Sequence, residues 1–299
     1  MSTASNGTLV KHRNFPQEAS IKRRIRSALP ARALYLYRVL RRLRRDLPAV
    51  VRFILRSDLP HTTWLWRLGY GLRLYWISLN VDAPHSQIEM LRVAEAILRF
   101  PTGVPGSVVE AGAFKGASTA KISLVAARVG RPMIIFDSFQ GMPPNEEGPQ
   151  LDFYGKVETF SAGTYSGSLA EVKNAVSRYG AIESCRFIAG WFDDTMPHFK
   201  EPVVCAYVDV DLESSTRTCL ENLWPLLPPG GTIFSQDGQF LAVADLLRDA
   251  QYWQEKLGCP PPKMPDLGHS RLVQISKPDN GRRGKEAKGE REERPQNPH

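Results

Sequence analysis

The chain has 299 residues, 42% of them hydrophobic and 23% charged, with a formal net charge of +8. That suits one large α/β domain with extensions, or two small domains, of a soluble globular protein. The four cysteines, Cys185, Cys205, Cys219 and Cys259, form no C-x-x-C pair and show no metal-ligand spacing, which excludes a thiolate metal site and favours buried free thiols in a reducing interior. No window of ~18 apolar residues lacks a charge, so a spanning helix is excluded from the reading.

The positive charge is unevenly placed. Residues 1–80 hold 16 Lys and Arg against Glu18, Asp46 and Asp58, whereas residues 81–275 are net acidic at −7. Residues 1–20 are polar without periodicity and are expected to be disordered. Residues 21–80 read as a basic, aromatic-rich helical arm. Leu36, Leu40, Leu43, Leu47, Val50 and Ile54 recur at helical steps, with Arg38, Arg41, Arg42, Arg45 and Arg52 largely off that stripe. Residues 63–79 add three tryptophans and two tyrosines beside Arg67 and Arg73. Three readings compete for this arm. It could lie on an anionic membrane, grip nucleic-acid phosphates, or pack on the domain or on a second subunit of a homodimer. The first apolar stretch comes after residue 33 and is studded with arginine, unlike a secretory signal. A cytoplasmic protein is expected, with peripheral membrane attachment as its variant.

A domain is expected over residues 81–276. His85–Phe100 is an amphipathic helix ended by Pro101. Strands and helices then alternate, the pattern of a mostly parallel sheet with helices on both faces. Strand Ser107–Glu110 passes through the small-residue turn Glu110-Ala111-Gly112-Ala113 into a helix over 117–128. Strand Met133–Phe136 ends at Asp137. The Gly/Pro-rich stretch Gly141–Gly167 is too long for a connector and reads as a lid. Ser168 and Glu171 make a capping box for a helix to Tyr179. Strand Cys185–Ile188, loop Gly190–Pro197, strand Val203–Val208 ending at Asp209, and helix Thr216–Leu226 follow. Strand Thr232–Ser235 leads to Asp237, then a helix over 242–256 and a late strand Arg271–Ile275. Residues 277–299 are a charged tail, expected to be disordered.

Four acids, Glu110, Asp137, Asp209 and Asp237, fall at or just past the carboxyl ends of strands, the edge where open α/β sheets bind ligands. Asp137 is placed to accept hydrogen bonds from a ribose diol. Glu110 can orient a ligand or take its amine. Asp209 and Asp211 lie on one side of an extended chain, and Asp237 joins them from the neighbouring strand. That convergence suits either a hard divalent cation or a general base beside an acceptor hydroxyl. Gly112 and Gly116 do not make a G-x-G-x-x-G fingerprint, which disfavours a dehydrogenase.

The blocks VVEAGAFKGAST (108–119), FDSFQGMP (136–143), SLAEVKNAVSRYGAIE (168–183), RFIAGWFDDTMP (186–197) and AYVDVDLESSTRTCLENLWPLLPPGGTIFSQD (206–237) occur in order. Together they resemble the macrocin O-methyltransferase (TylF-like) family, over about residues 85–275. The resemblance implies a class I, Rossmann-like, S-adenosylmethionine-dependent methyltransferase that acts on hydroxyls, typically of sugars on glycosylated metabolites. It implies a cofactor over Glu110, Gly112 and the helix start at Gly116 and Ser118, with Asp137 on the ribose. Ser138 and Gly190-Trp191-Phe192 would flank its adenine and methionine parts. Asp211 matches the general base. Asp209 and the pair Gln236-Asp237 match a magnesium site. The chain departs from the family's D-G-D-L-Y-E-S-T at Val210, Glu213 and Ser214, and from its D-D-Y with Gln236-Asp237-Gly238. Gln236 brings no charge, so the magnesium site is expected to be weakened. Val210 and Gly238 would alter the acceptor pocket. The competing reading is a cofactor-binding but catalytically weak, membrane-associated or scaffolding member of the fold. Without an N/D-P-P-Y motif, nucleic-acid base methylation is disfavoured.

Overall fold

The computed structural model describes residues 44–279. The expectations for residues 1–20, for 21–43 of the arm and for 280–299 lie outside the described residues. The chain divides into two units, 1–45 and 46–299, and the second holds the sheet.

The unit opens with helical residues 46–55 (α1), followed by α2 (Trp64–Asn80) and α3 (Gln87–Arg99). Ser86 caps α3 by a full capping box with Glu89, and Thr63 caps α2. The second half of the expected arm is therefore part of a packed core. Phe53, Tyr70, Leu74 and Ile77 are buried in one cluster with Val108, Met133 and Tyr207 of the sheet.

The sheet is built from β1 (Ser107–Ala111), β2 (Met133–Asp137), β5 (Cys185–Ala189), β6 (Val203–Val208), β7 (Thr232–Ser235) and β8 (Val273–Ser276). Its order is β5-β2-β1-β6-β7-β8. All pairs are parallel except β7–β8. The buried strands are almost entirely apolar, as expected of a parallel sheet covered on both faces. Alternation divides them between two cores. Val108, Met133, Ile135, Cys205 and Tyr207 pack with α2, α3, α4 (Ala117–Arg128) and α5 (Leu169–Tyr179). After the short α6 (Phe192–Thr195), Val109, Ala111, Ile134, Phe136, Ala206 and Val208 pack with α7 (Glu213–Leu223), α8 (Leu241–Arg248) and α9 (Ala250–Leu257). The order reverses between β1 and β6, which opens a cleft at their carboxyl ends.

Three differences from the sequence reading have simple causes. The single helix expected over 242–256 is two, because Asp249 leaves the helical region and caps α9 through Gln251 and Tyr252 N–H. The helix expected from Thr216 begins at Glu213. The Gly141–Gly167 stretch contains a short antiparallel hairpin, β3 (Gln150–Leu151) with β4 (Val157–Glu158). Its base is stapled by Met142 N–H to the Thr164 carbonyl at 2.8 Å and Gly163 N–H to the Met142 carbonyl at 2.9 Å. Gly141 has φ +85°, and a Cβ there would lie 2.5 Å from the Thr164 carbonyl oxygen, so only glycine closes the staple. The four cysteines form no disulfide; Cys205 and Cys219 are buried, Cys185 and Cys259 half-buried.

Candidate active site

A cavity of about 700 Å³ fills the cleft, within the size of small-molecule sites. Gly112, Ser118, Asp137, Ser138, Gly190, Trp191, Phe192, Asp209 and Asp211 line it. Glu110, Gly116, Gln236 and Asp237 do not; they stand behind its wall. Period-two alternation explains Glu110: with Val108 it faces the α4 layer, toward Ser118 and Thr119. Neither of its oxygens has a partner in hydrogen-bond geometry. Burial pushes the Glu110 carboxyl up to about 7, against a smaller opposing pull from the nearby Ser118 and Thr119 hydroxyls.

The glycines serve packing. A Cβ on Gly112 would lie 1.9 Å from the Asp209 carbonyl oxygen, so Gly112 admits the neighbouring strand. Gly116 is the N-cap of α4 at φ +84°, with Val172 of α5 against it. Gly238 faces Val273 and the Arg271 carbonyl, which explains the missing side chain there and removes it from the acceptor pocket. Val210 does line the cavity.

One half of the cleft is rich in backbone donors. Asp137 Oδ2 accepts from Ala113 N–H at 2.6 Å and Phe114 N–H at 3.3 Å, and Oδ1 accepts from Phe139 N–H at 2.6 Å. The carboxylate thus ties the β1–α4 turn to the β2 end and keeps a lone pair on Oδ1 for a ligand. Burial raises its pKa, offset by these N–H groups. Ser138 Oγ is engaged locally, donating to the Gly141 carbonyl at 3.1 Å and accepting from Gln140 N–H at 3.1 Å. Gly190 N–H donates to the Asp137 carbonyl at 3.0 Å, which carries Trp191 and Phe192 to the cavity.

The other half is acidic. Carboxylate oxygens of Asp209, Asp211 and Asp237 lie within 4.8 Å of one another. Asp237 Oδ2 accepts from the N–H groups of Val210 and Asp211, both at 2.9 Å. Its Oδ1 is buried with no partner. Tyr207 O–H donates to Asp209 at 3.1 Å. Burial, then Asp237, pushes Asp209 up to about 8. Asp211 is raised well above the usual range by burial and by both neighbours. Three carboxyls that disfavour one another's charge fit a divalent cation with oxygen ligands. The third carboxylate is Asp211 rather than an acid at 236. Gln236 is buried with both amide atoms unpartnered and takes no part in the trio. Glu213 does not turn back to the cleft, and its Oε1 accepts from Arg217 at 2.6 Å.

Backbone strain marks the same place. Five non-glycine residues among those described have positive φ; Phe114, Tyr165 and Asp211 line the cleft and Phe139 adjoins Ser138. Side chains held this way at a cleft point to positioning for function. Two contributors escaped the sequence reading. Arg271, two residues before β8, lines the cavity, and its charge lies close to Asp209 and Asp237. Glu147, in the lid, caps α7: Oε2 accepts from Glu213 N–H and Oε1 from Ser214 N–H, both at 3.0 Å. The only signal for Glu147 was that α7 starts without a Ser, Thr, Asp or Asn at its cap, since Leu212 stands there.

The fold and cleft define a doubly wound α/β protein with an open cavity at its topological switch point and three acids clustered on one side. The chain belongs to the macrocin-O-methyltransferase (TylF) family, whose model matches residues 87–259. It is 33% identical over 153 residues to the 8-demethyl-8-(2,3-dimethoxy-alpha-L-rhamnosyl)-tetracenomycin-C 4'-O-methyltransferase of Streptomyces olivaceus, covering 49% of this chain and 58% of that one. It is 34% identical over 166 residues to the mycinamicin III 3''-O-methyltransferase of Micromonospora griseorubida, covering 51% and 65%. The matched stretch is thus under two thirds of each of these relatives. Among solved structures, the O-methyltransferase NovP superposes with a TM-score of 0.52 at 23% identity, over 64% of this chain and 80% of that one. The calicheamicin methyltransferase CalS11 gives 0.51 at 16% identity, over 92% and 99%. At these identities both show the fold.

Proposed function

We propose that the protein is an S-adenosylmethionine-dependent O-methyltransferase acting on a hydroxyl of a sugar or glycosylated small molecule. The observation that carries this is Asp211: a strained, half-buried carboxyl that lines the cleft with Asp209, across from the Asp137 half. The named relatives supply the substrate class. Gly112, Ser118, Asp137, Ser138 and the Gly190–Phe192 turn would hold the cofactor, which supplies an electrophilic methyl group when bound. Asp211 would accept the proton of the acceptor hydroxyl at a carboxylate oxygen facing the cleft. Asp237 holds the Val210–Asp211 backbone in place through two N–H groups. Asp209 and Asp237, beside Asp211, would hold a magnesium ion, which would lower the pKa of a bound hydroxyl and leave Asp211 as its base. The hairpin and lid shield the acceptor from water.

The test is methyl transfer from labelled cofactor to glycosylated acceptors, comparing the wild-type protein with Asp211→Asn. Loss of about 10²–10⁴ in kcat with cofactor affinity unchanged is expected for removal of a general base. Full activity in Asp211→Asn refutes the assignment of the base. Cofactor binding without turnover in the wild-type protein, on every acceptor tried, favours the non-catalytic reading.

A further inference from the structure

The cleft makes no use of the outer face of α1 and α2. The two helices pack on each other where Gly71 admits Val50, 3.1 Å from where a Cβ would stand, and where Arg67 Nε donates to the Ile54 carbonyl at 2.9 Å. Their inner residues Val50, Phe53, Tyr70, Leu74 and Ile77 are core. Their outer residues are also apolar. Leu47, Val51 and Leu55 recur every four residues along α1, with Leu55 75% exposed. Leu65, Leu72, Trp76 and Leu79 follow helical spacing along α2, with Leu72 64% and Trp76 59% exposed, and Trp64 at the start of α2 is 59% exposed. Eight of the thirteen large hydrophobic residues exposed among those described fall between residues 47 and 79, so this is a concentrated patch and not ordinary surface scatter.

Charge decides what covers it. Arg52 and Arg73 are exposed directly beside Val51 and Leu72 in the chain, with no acidic partner among the described residues. The acids of this stretch are Asp46, which is buried and accepts the Gln87 N–H at 3.0 Å, and Asp58, which is held by Arg56 and Arg99. A two-fold contact with a second copy would bring like arginines into one interface. An anionic bilayer takes both components, with indoles and leucines in the headgroup boundary and guanidinium groups on lipid phosphates. No helix among the described residues is long and apolar enough to cross a membrane. We infer that the α1–α2 face is a docking surface for the surface of an anionic phospholipid membrane.

The experiment is flotation of the full chain with vesicles of phosphatidylcholine alone or with about 30% phosphatidylglycerol, at low salt and at about 0.5 M salt. The double variants Trp64→Ser/Trp76→Ser and Arg52→Glu/Arg73→Glu are run alongside. The wild-type protein should float with anionic vesicles at low salt and be released by high salt. Each variant should bind at least about tenfold more weakly at unchanged melting temperature. Three results overturn the inference: equal flotation on neutral vesicles, variants that float like the wild-type protein, or a lipid-free dimer by light scattering that Trp64→Ser/Trp76→Ser dissolves. Because both pairs are exposed and outside the cleft, cofactor binding by the variants reports separately on fold.

Discussion

The two halves of the cleft are both built around aspartate at strand ends, yet they are in opposite electrostatic condition. Asp137 is satisfied before any ligand arrives: three backbone N–H groups point at it. Asp209, Asp211 and Asp237 crowd one another, and Asp237 keeps one oxygen without a partner. The first half is finished by the fold and should be rigid. The second is completed only when positive charge or a proton enters it, so its stability depends on what is bound.

Removing Asp137 should give the largest change in stability. Asp137→Ala leaves three N–H groups in a buried turn without their acceptor, and a loss of about 3–4 kcal/mol is expected in urea melts without any ligand. A loss under 1 kcal/mol would break the contrast between the halves. Next comes Glu110, behind the same turn. Its carboxyl has an ordinary value near 4.5 unfolded and about 7 folded. Its contribution is therefore fully present below pH 4.5 and is lost as pH rises through 7. Glu110→Gln should remove this slope, leaving the variant better placed by about 3 kcal/mol at pH 8 than at pH 4, relative to the wild-type protein. Parallel slopes from paired melts would mean that the carboxyl is relieved of its burial cost. The smallest effect sharpens the acid half. Asp237→Asn keeps an oxygen for the Val210 and Asp211 N–H groups but relieves like-charge crowding, and should stabilise the ligand-free protein by about 1 kcal/mol. Millimolar magnesium should raise the melting temperature of the wild-type protein and not of this variant. An equal rise in both would remove Asp237 from any cation site.

The placement of Asp137, Asp209 and Asp211 at one edge was legible because apolar β-branched runs in an alternating α/β pattern locate strand ends well. The side to which each acid turns was less so. Glu110 and Asp237 lie at the same edge but behind the wall, since facing depends on register and on the turn beyond the strand. The glycines show another limit. Gly112, Gly116 and Gly238 read as ligand clearance, yet each admits neighbouring protein, and sequence alone does not separate these causes. Arg271 and Glu147 were invisible because each acts on partners far along the chain: Arg271 on the ends of β6 and β7, Glu147 on a helix 66 residues away. The arm was half legible. Its leucine stripe marked helices, but the same stripe has inner and outer members that only packing distinguishes.

Glu147 carries a kinetic consequence. A helix normally carries its cap in its own sequence; α7 borrows one from the hairpin stretch beside the acid half of the cleft. Ser214 and Ser215 at that helix start line the cavity. Swinging the stretch away would therefore strip two helix-end amides, those of Glu213 and Ser214, of their acceptor and shed a charge-assisted contact to Ser214 Oγ at 2.5 Å. The Gly141–Gly167 stretch is thus latched to the segment that follows Asp211. Acceptor capture then begins with an unlatching event inside the protein, and its observed rate constant should level off as acceptor concentration rises.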